Sequence, residues 1–240
     1  MTGKPPPGIR PRADHPLARG LFNCYLFNEG AGARVLDCAE GRLGSLVNNV
    51  TWLPAKGGVG LRFAGNNDYI QFATNEPRCN AAAGFSCATR LMFWQLPGTA
   101  GANAYGPAYQ ATGGNVWTLY GAPATNTLRA TIRDAAAANY TSGSLGTIVV
   151  GRWFDVAIVF DGTGLRCYVD GRFITRVASG SVLGGTGLML RWGLGSTNSP
   201  EAVAEHCMFW GRALTDAEAR RVTMDPYCMF RRRSPLIIAA

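Results

Sequence analysis

The chain has 240 residues, 47 % of them hydrophobic and only 16 % charged, with 31 glycines and 13 prolines. That length suits one large core, and a glycine-rich, charge-poor balance favours many short strands joined by tight turns over charged helices. The net charge of +8 comes with no apolar run long enough to cross a membrane and no apolar leader after Met1, so the expectation is a single all-β domain made and kept in a cytosol.

Residues 1–16 contain Pro5, Pro6, Pro7, Pro11 and Pro16, together with Lys4, Arg10 and Arg12. Proline at this density forbids a helix interior or a central strand, so the segment reads as an extended, basic arm. From Leu21 the run LFNCYLFNEG alternates, which places Phe22, Cys24 and Leu26 on one face of a first core strand. Similar runs follow: VGLRFAG, DYIQFA, FSCATRLMFW, NVWTLYG, TLRATIR, WFDVAIVFDG, LRCYVDG, RFITRVA, GLMLRWG and AVAEHCMFW. So many strands imply two packed sheets. Asp161-Gly162 and Asp170-Gly171 separate three of the runs and predict a meander with tight turns.

Near the end, Thr215 with Glu218 three residues on is a capping box that starts a short helix, stopped by Asp225-Pro226. Tyr227 to Phe230 would press back on the body before the basic run Arg231, Arg232, Arg233 and an apolar tail. The division is then 1–16 arm, 17–226 sandwich domain and 227–240 basic and apolar tail. The positive charge sits at the two ends while the body is near neutral, a distribution unlike the continuous basic face that tracks a nucleic acid. Lys4, Arg10, Arg12 and Arg231 to Arg233 are therefore the candidate assembly residues.

Seven widely spaced cysteines cannot all pair, and Cys24, Cys167 and Cys207 lie in apolar strand runs where a reduced thiol behaves as a small hydrophobe. With His15 and His206 the only histidines and no CxxC pair, a structural zinc is not expected. GSVLGGTGLML lacks the lysine and helix start of a phosphate loop and reads as turn.

In order and spacing, HPLARGLFNCYLFNEGAGARVLDCA, LRFAGNNDYIQF, FSCATRLMFW, GRWFDVAIVFDGTGLRCYVDG and EHCMFWGRALTDAEARRV resemble the LamG-like domains of the concanavalin A-like lectin/glucanase superfamily, over about residues 15 to 225. The resemblance implies an all-β, two-sheet antiparallel jelly-roll sandwich with one short C-terminal helix. The closing DPYCMFRRRSP is similar to the ends of LamG-like proteins encoded by bacteriophages and prophages. That implies a virion component, made in the host cytoplasm, whose partners are other virion proteins in an oligomer or array.

Glucanases of the superfamily place carboxylates on one strand as Glu-x-Asp-x-x-Glu, and nothing here matches: Glu201 and Glu205 have the wrong spacing and no aspartate between them. No G-x-S-x-G is present for a serine nucleophile. No catalytic residue is therefore expected and no cofactor is required. Related sandwiches often hold calcium, for which Glu29, Asp37 and Glu205 are the candidates. Tyr105, Tyr109, Trp117, Tyr120 and Tyr140 are the candidate aromatic platforms for a host-surface glycan, against the competing role of strand packing. The expected function is a non-catalytic phage structural protein, in the capsid decoration or the tail, with a free lectin-like module, calcium-dependent or not, as the alternative.

Overall fold

The computed structural model describes residues 3–64, 68–74, 78, 84–97, 103–111, 114–122, 124–133, 138–178, 189–194 and 201–231, with backbone alone at 73–74, 103–106, 108–111, 114–116 and 189–194. In chain order the strands are β1 (Leu21–Tyr25), β2 (Arg34–Leu36), β3 (Leu43–Val47), β4 (Thr51–Ala55), β5 (Gly58–Phe63), β6 (Tyr69–Thr74) and β7 (Phe85–Phe93). They continue as β8 (Asn103–Ala111), β9 (Gly114–Ala122), β10 (Thr127–Arg133), β11 (Asn139–Thr141), β12 (Gly146–Thr147) and β13 (Trp153–Phe160). The last are β14 (Gly164–Val169), β15 (Arg172–Ala178), β16 (Met189–Leu194) and β17 (Ala202–Trp210), followed by the helix α1 (Asp216–Met224).

Two antiparallel sheets result. Sheet I runs β15-β14-β13-β7-β17-β5-β4, with β1 also paired to β17; sheet II runs β11-β10-β9-β8-β16-β6-β3-β2, with β12 paired to β10. The predicted sandwich with one C-terminal helix is what forms. In the meander β13-β14-β15, Asp170 and Gly171 both take positive φ, 50° and 80°, the geometry of a primed two-residue turn whose twist matches its strands. The capping box holds too: Glu218 N donates to Thr215 Oγ1 at 3.3 Å, and Thr215 N donates to Glu218 Oε2 at 2.9 Å.

Apolar side chains lie in two layers. Between the sheets, Leu91, Phe93 and Ile158 from one side meet Ile70, Leu119 and Ile132 from the other, with Phe85 stacked on Trp117 at 4.7 Å between ring centres. A second layer covers the far side of sheet I, where Ala88, Val159, Met208 and Trp210 pack under Leu17, α1 and Tyr227 to Phe230. Strands β7 and β17 are buried on both faces, which is why FSCATRLMF and AVAEHCMFW read as nearly unbroken apolar runs.

The same two-sided burial corrects the expected facing of β1. A register shift between Leu21 and Asn23 sends Phe22 into the inter-sheet core, whereas Cys24 and Leu26 join the second layer. Pattern alone could not reveal it, because a bulge reverses alternation without changing composition. Strand β8 was also missed, since it holds Gly106 and Pro107 although it lies between β9 and β16. A register shift between Ala104 and Ala108 absorbs the proline's missing N–H. Cys24, Cys38, Cys87, Cys167, Cys207 and Cys228 are buried, with Cys87 Sγ 3.9 Å from Cys207 Sγ, while Cys79 and the GSVLGGTG stretch lie outside the described residues.

Candidate binding face

The outward faces of the two sheets differ in what covers them. On sheet I, Arg90 of β7, Asp155 of β13 and Glu205 of β17 meet beneath the chain's own ends. Arg90 donates through Nε and Nη2 to both oxygens of Asp155, at 2.8 and 2.9 Å, and through Nη1 to Glu205 Oε2 at 3.1 Å. Glu205 is fully buried, and its Oε1 accepts from Gly57 N at 2.6 Å. Burial pushes the Asp155 carboxyl up against the downward pull of Arg90. His206, fully buried with Nδ1 3.3 Å from Tyr227 Oη, is held well below the ordinary histidine value, first by desolvation and then by Arg90 and Lys4.

Lys4 closes this cluster. Its ammonium donates to Phe27 O at 3.1 Å and to Val59 O, in the fields of Glu205 and Glu29. Desolvation outweighs those carboxylates and lowers its pKa to about 7. Lys4 N donates to Gly57 O, Asn28 Nδ2 to Pro5 O, and Arg12 N to Met229 O. The side chain of Arg12 reaches Arg231 O at 2.8 Å and also pairs with Asp14, while Arg231 pairs with Asp225. The segment expected to project as a docking arm is thus fastened along sheet I and to the end of the described chain. Lys4, Arg12 and Arg231, named above as assembly residues, make contacts within the molecule. Arg10 is exposed, and Arg232 and Arg233 lie outside the described residues.

Sheet II presents a different surface. Its register aligns one residue from each of eight strands: Arg34, Ser45, Gln71, Arg191, Ala108, Thr118, Thr131 and Thr141. The inward neighbours of this row, such as Val35, Ile70, Leu119 and Ile132, are in the core. Alternation therefore turns the described side chains of this row outward. Arg34, Ser45 and Thr141 are exposed, Gln71 and Thr131 half-buried, and Thr118 buried. Arg191 and Ala108 are placed by register alone. Arg129 and Arg133 flank Thr131 on the same face, and Tyr120 lies opposite Arg129. None of the nine strands of sheet II contains an aspartate or glutamate.

The predicted aromatics separate by pleat. Trp117 is fully buried between the sheets and is corrected from ligand platform to core. Tyr140 packs against the same core opposite Ile132, so it too serves packing. Tyr120 is half-buried on the open face. Tyr105 and Tyr109 belong to β8, with side chains outside the description.

The calcium candidates are largely engaged, with Glu29 Oε2 the one of their oxygens that is buried without a hydrogen-bond partner. Asp37 is buried, with Oδ1 accepting from Cys24 N and Ala39 N and Oδ2 from Asn23 Nδ2. Glu29 Oε1 accepts from Leu36 N at 2.7 Å. Glu29 and Glu205 both act on the ammonium of Lys4 through their charge. Among the described residues no three His, Cys, Asp or Glu side chains are placed to hold an ion. Asp37 and Glu205, with both oxygens taken by N–H groups and the Arg90 guanidinium, do not fit calcium.

The polar row was missed in the sequence because its members are ordinary threonines, serine and glutamine, and only strand register collects them. Trp94, 39 % exposed at the end of β7 with the Arg62 guanidinium 5.2 Å from its ring centre, was missed because the run FSCATRLMFW reads as one strand.

A laminin-G family model of the concanavalin A-like lectin/glucanases superfamily matches residues 64–220. Among solved structures, the binding domain of Paraclostridial Mosquitocidal Protein 1 superposes with TM-score 0.72 at 13 % identity, covering 88 % of this chain and 53 % of that one. A Trypanosoma rangeli sialidase in complex with sialic acid gives 0.67 at 16 % identity, over 88 % of this chain and 34 % of that one. The botulinum neurotoxin serotype D binding domain gives 0.66 at 12 % identity, over 86 % and 52 %. The chain thus spans between a third and about half of these proteins, and at such identities the likeness is one of fold. No curated protein matches the sequence.

Proposed function

Because this chain belongs to the concanavalin A-like lectin/glucanase superfamily, we propose that it is a non-catalytic glycan-binding sandwich that presents the open face of sheet II. The observation that carries this reading is the contrast between the sheets among the described residues: one outward face is covered by the chain's own ends, and the other displays the hydroxyl, amide and guanidinium groups of Arg34, Ser45, Gln71, Thr131 and Thr141. Such groups match sugar hydroxyls in hydrogen-bonding character. The half-buried carboxylate of Asp155 and the buried one of Glu205 favour a structural role over hydrolysis, since Arg90 and Gly57 engage them.

The setting we propose is a bacteriophage particle, on the likeness of the closing DPYCMFRRRSP segment to phage-encoded relatives. Contacts to the particle then fall to surfaces other than Lys4, Arg12 and Arg231, which fasten the molecule to itself. Glycan-array screening followed by NMR titration tests the binding reading. Shifts confined to β6, β9, β10 and β11 are expected, and shifts confined to the sheet I side would overturn it. Mass spectrometry of purified particles from the source host tests the setting, with stoichiometric recovery expected and absence decisive against it.

A further inference from the structure

Cys24 and Cys38 stand opposite each other where the chain passes from one sheet to the other. Strand β1 belongs to sheet I and β2 to sheet II, and an isolated antiparallel bridge between Tyr25 and Asp37 joins the two segments. The next residues along such a bridge are opposite as well, which sets Cys24 against Cys38, and Cys38 N donates to Cys24 O at 2.8 Å. Both thiols therefore turn to the same face, and both lie in the second apolar layer.

Opposite residues at a hydrogen-bonded position have Cα atoms about 5.5 Å apart, a separation typical of a disulfide. The other close pair of thiols differs. Cys87 and Cys207 hold their sulfurs 3.9 Å apart, yet Cys207 is opposite Thr89 and Cys87 is opposite Phe209. Diagonal neighbours of this kind have Cα atoms about 7–8 Å apart, beyond what a relaxed disulfide spans. Access differs too. Cys38 opens a turn closed by Gly41 N donating to Asp37 O, and residues 40–43 are exposed. A small reagent reaches Cys38 by loosening one surface turn, whereas Cys87 and Cys207 belong to strands buried on both faces.

We infer that Cys24 and Cys38 are a disulfide-forming site, closed by exchange with a small-molecule disulfide such as oxidised glutathione. The Cys38 thiolate attacks one sulfur of the oxidant and releases one glutathione thiolate; the Cys24 thiolate then displaces the second from the mixed disulfide. The two protein thiols lose two electrons, the glutathione disulfide gains them, and the released thiolates take up the two protons. Cys38 gives up only a weak contact, from its thiol to Leu36 O at 4.0 Å. Burial pushes Cys38 up to about 12 and Cys24 well above the ordinary thiol value, so thiolate is scarce near neutral pH and exchange quickens as pH rises. The closed bridge is a covalent clamp between β1 of sheet I and the segment that follows β2 of sheet II.

The test is incubation of the reduced full chain with oxidised glutathione at about pH 7 and about pH 9, then alkylation of the remaining thiols and non-reducing peptide mapping by mass spectrometry. Trypsin separates residues 20–34 from 35–42, so the bridge joins two peptides. A loss of about 2 Da, faster at the higher pH and traced to that joined pair, is expected. The bridged form should melt about 5 °C higher, and Cys24→Ala should trap the glutathione adduct on Cys38. A bridge between Cys87 and Cys207 in place of this one would overturn the site. So would a glutathione adduct that stays on Cys38 in the native chain, or no cross-link where the urea-unfolded chain oxidises in the same mixture. A bridge that leaves the melting temperature unchanged would overturn the clamp.

Discussion

Arg90 grips Asp155 at two points, 2.8 and 2.9 Å, and reaches Glu205 with its remaining nitrogen at 3.1 Å, so that one cation neutralises the two acids found in the strands of sheet I. All three lie under the chain's own ends. A buried ion cluster of this kind is more costly to break than it is favourable to form, because a charge left behind cannot be rehydrated. Arg90→Ala strands Asp155 and Glu205 and should cost about 3–5 kcal/mol in urea denaturation. A loss under about 1 kcal/mol would mean that water reaches the cluster.

Lys4 makes the fastening of residues 3–16 dependent on pH. Docked, its pKa is about 7; released into water it returns to 10.5. Below pH 7 the ammonium is charged in both states and its burial opposes docking in full. As pH rises from about 7 towards 10.5, only the released form still holds the proton, so docking should strengthen by up to about 1.4 kcal/mol per pH unit. Limited proteolysis of the segment should slow over that range in the native protein, while Lys4→Met, which keeps the apolar stem, should show no such trend.

His206 works on the acid side. Its folded pKa lies well below the ordinary 6.5, so above pH 6.5 the imidazole is neutral in both states and the stability it contributes is fully present. As pH falls below 6.5 the unfolded chain takes up a proton that the folded one refuses, and stability drops. Thermal melts between pH 5 and 7 should therefore fall more steeply for the native protein than for His206→Gln. Parallel curves would place the acid sensitivity elsewhere.

What the sequence revealed follows from how local each signal is. The meander was readable because Asp161-Gly162 and Asp170-Gly171 state their turn chemistry in two residues, and α1 because Thr215 and Glu218 state its start in four. The fate of the basic segment was not readable. Lys4 meets Phe27 and Val59 and feels the charge of Glu205, partners far away along the chain, and no local pattern distinguishes a docked proline-rich segment from a projecting one. The open face was hidden for the same reason: Arg34 and Thr141 belong to one row only once eight strands are in register.

Trp117 and Tyr120 show how three positions in one strand divide core from surface. Odd steps along β9 alternate faces, so Trp117 stacks on Phe85 inside the sandwich while Tyr120 faces outward beside Arg129. Trp117→Ala removes a fully buried indole and should cost about 3–5 kcal/mol, with any loss of glycan binding explained by unfolding. Tyr120→Ala should change stability by less than about 1 kcal/mol yet weaken binding several-fold, as expected of a half-exposed ring on the ligand face. Isothermal titration beside thermal melts separates the two. If Tyr120→Ala binds as tightly as the native protein while Trp94→Ala does not, the ligand sits at the rim near the end of β7, where Trp94 is exposed under the guanidinium of Arg62.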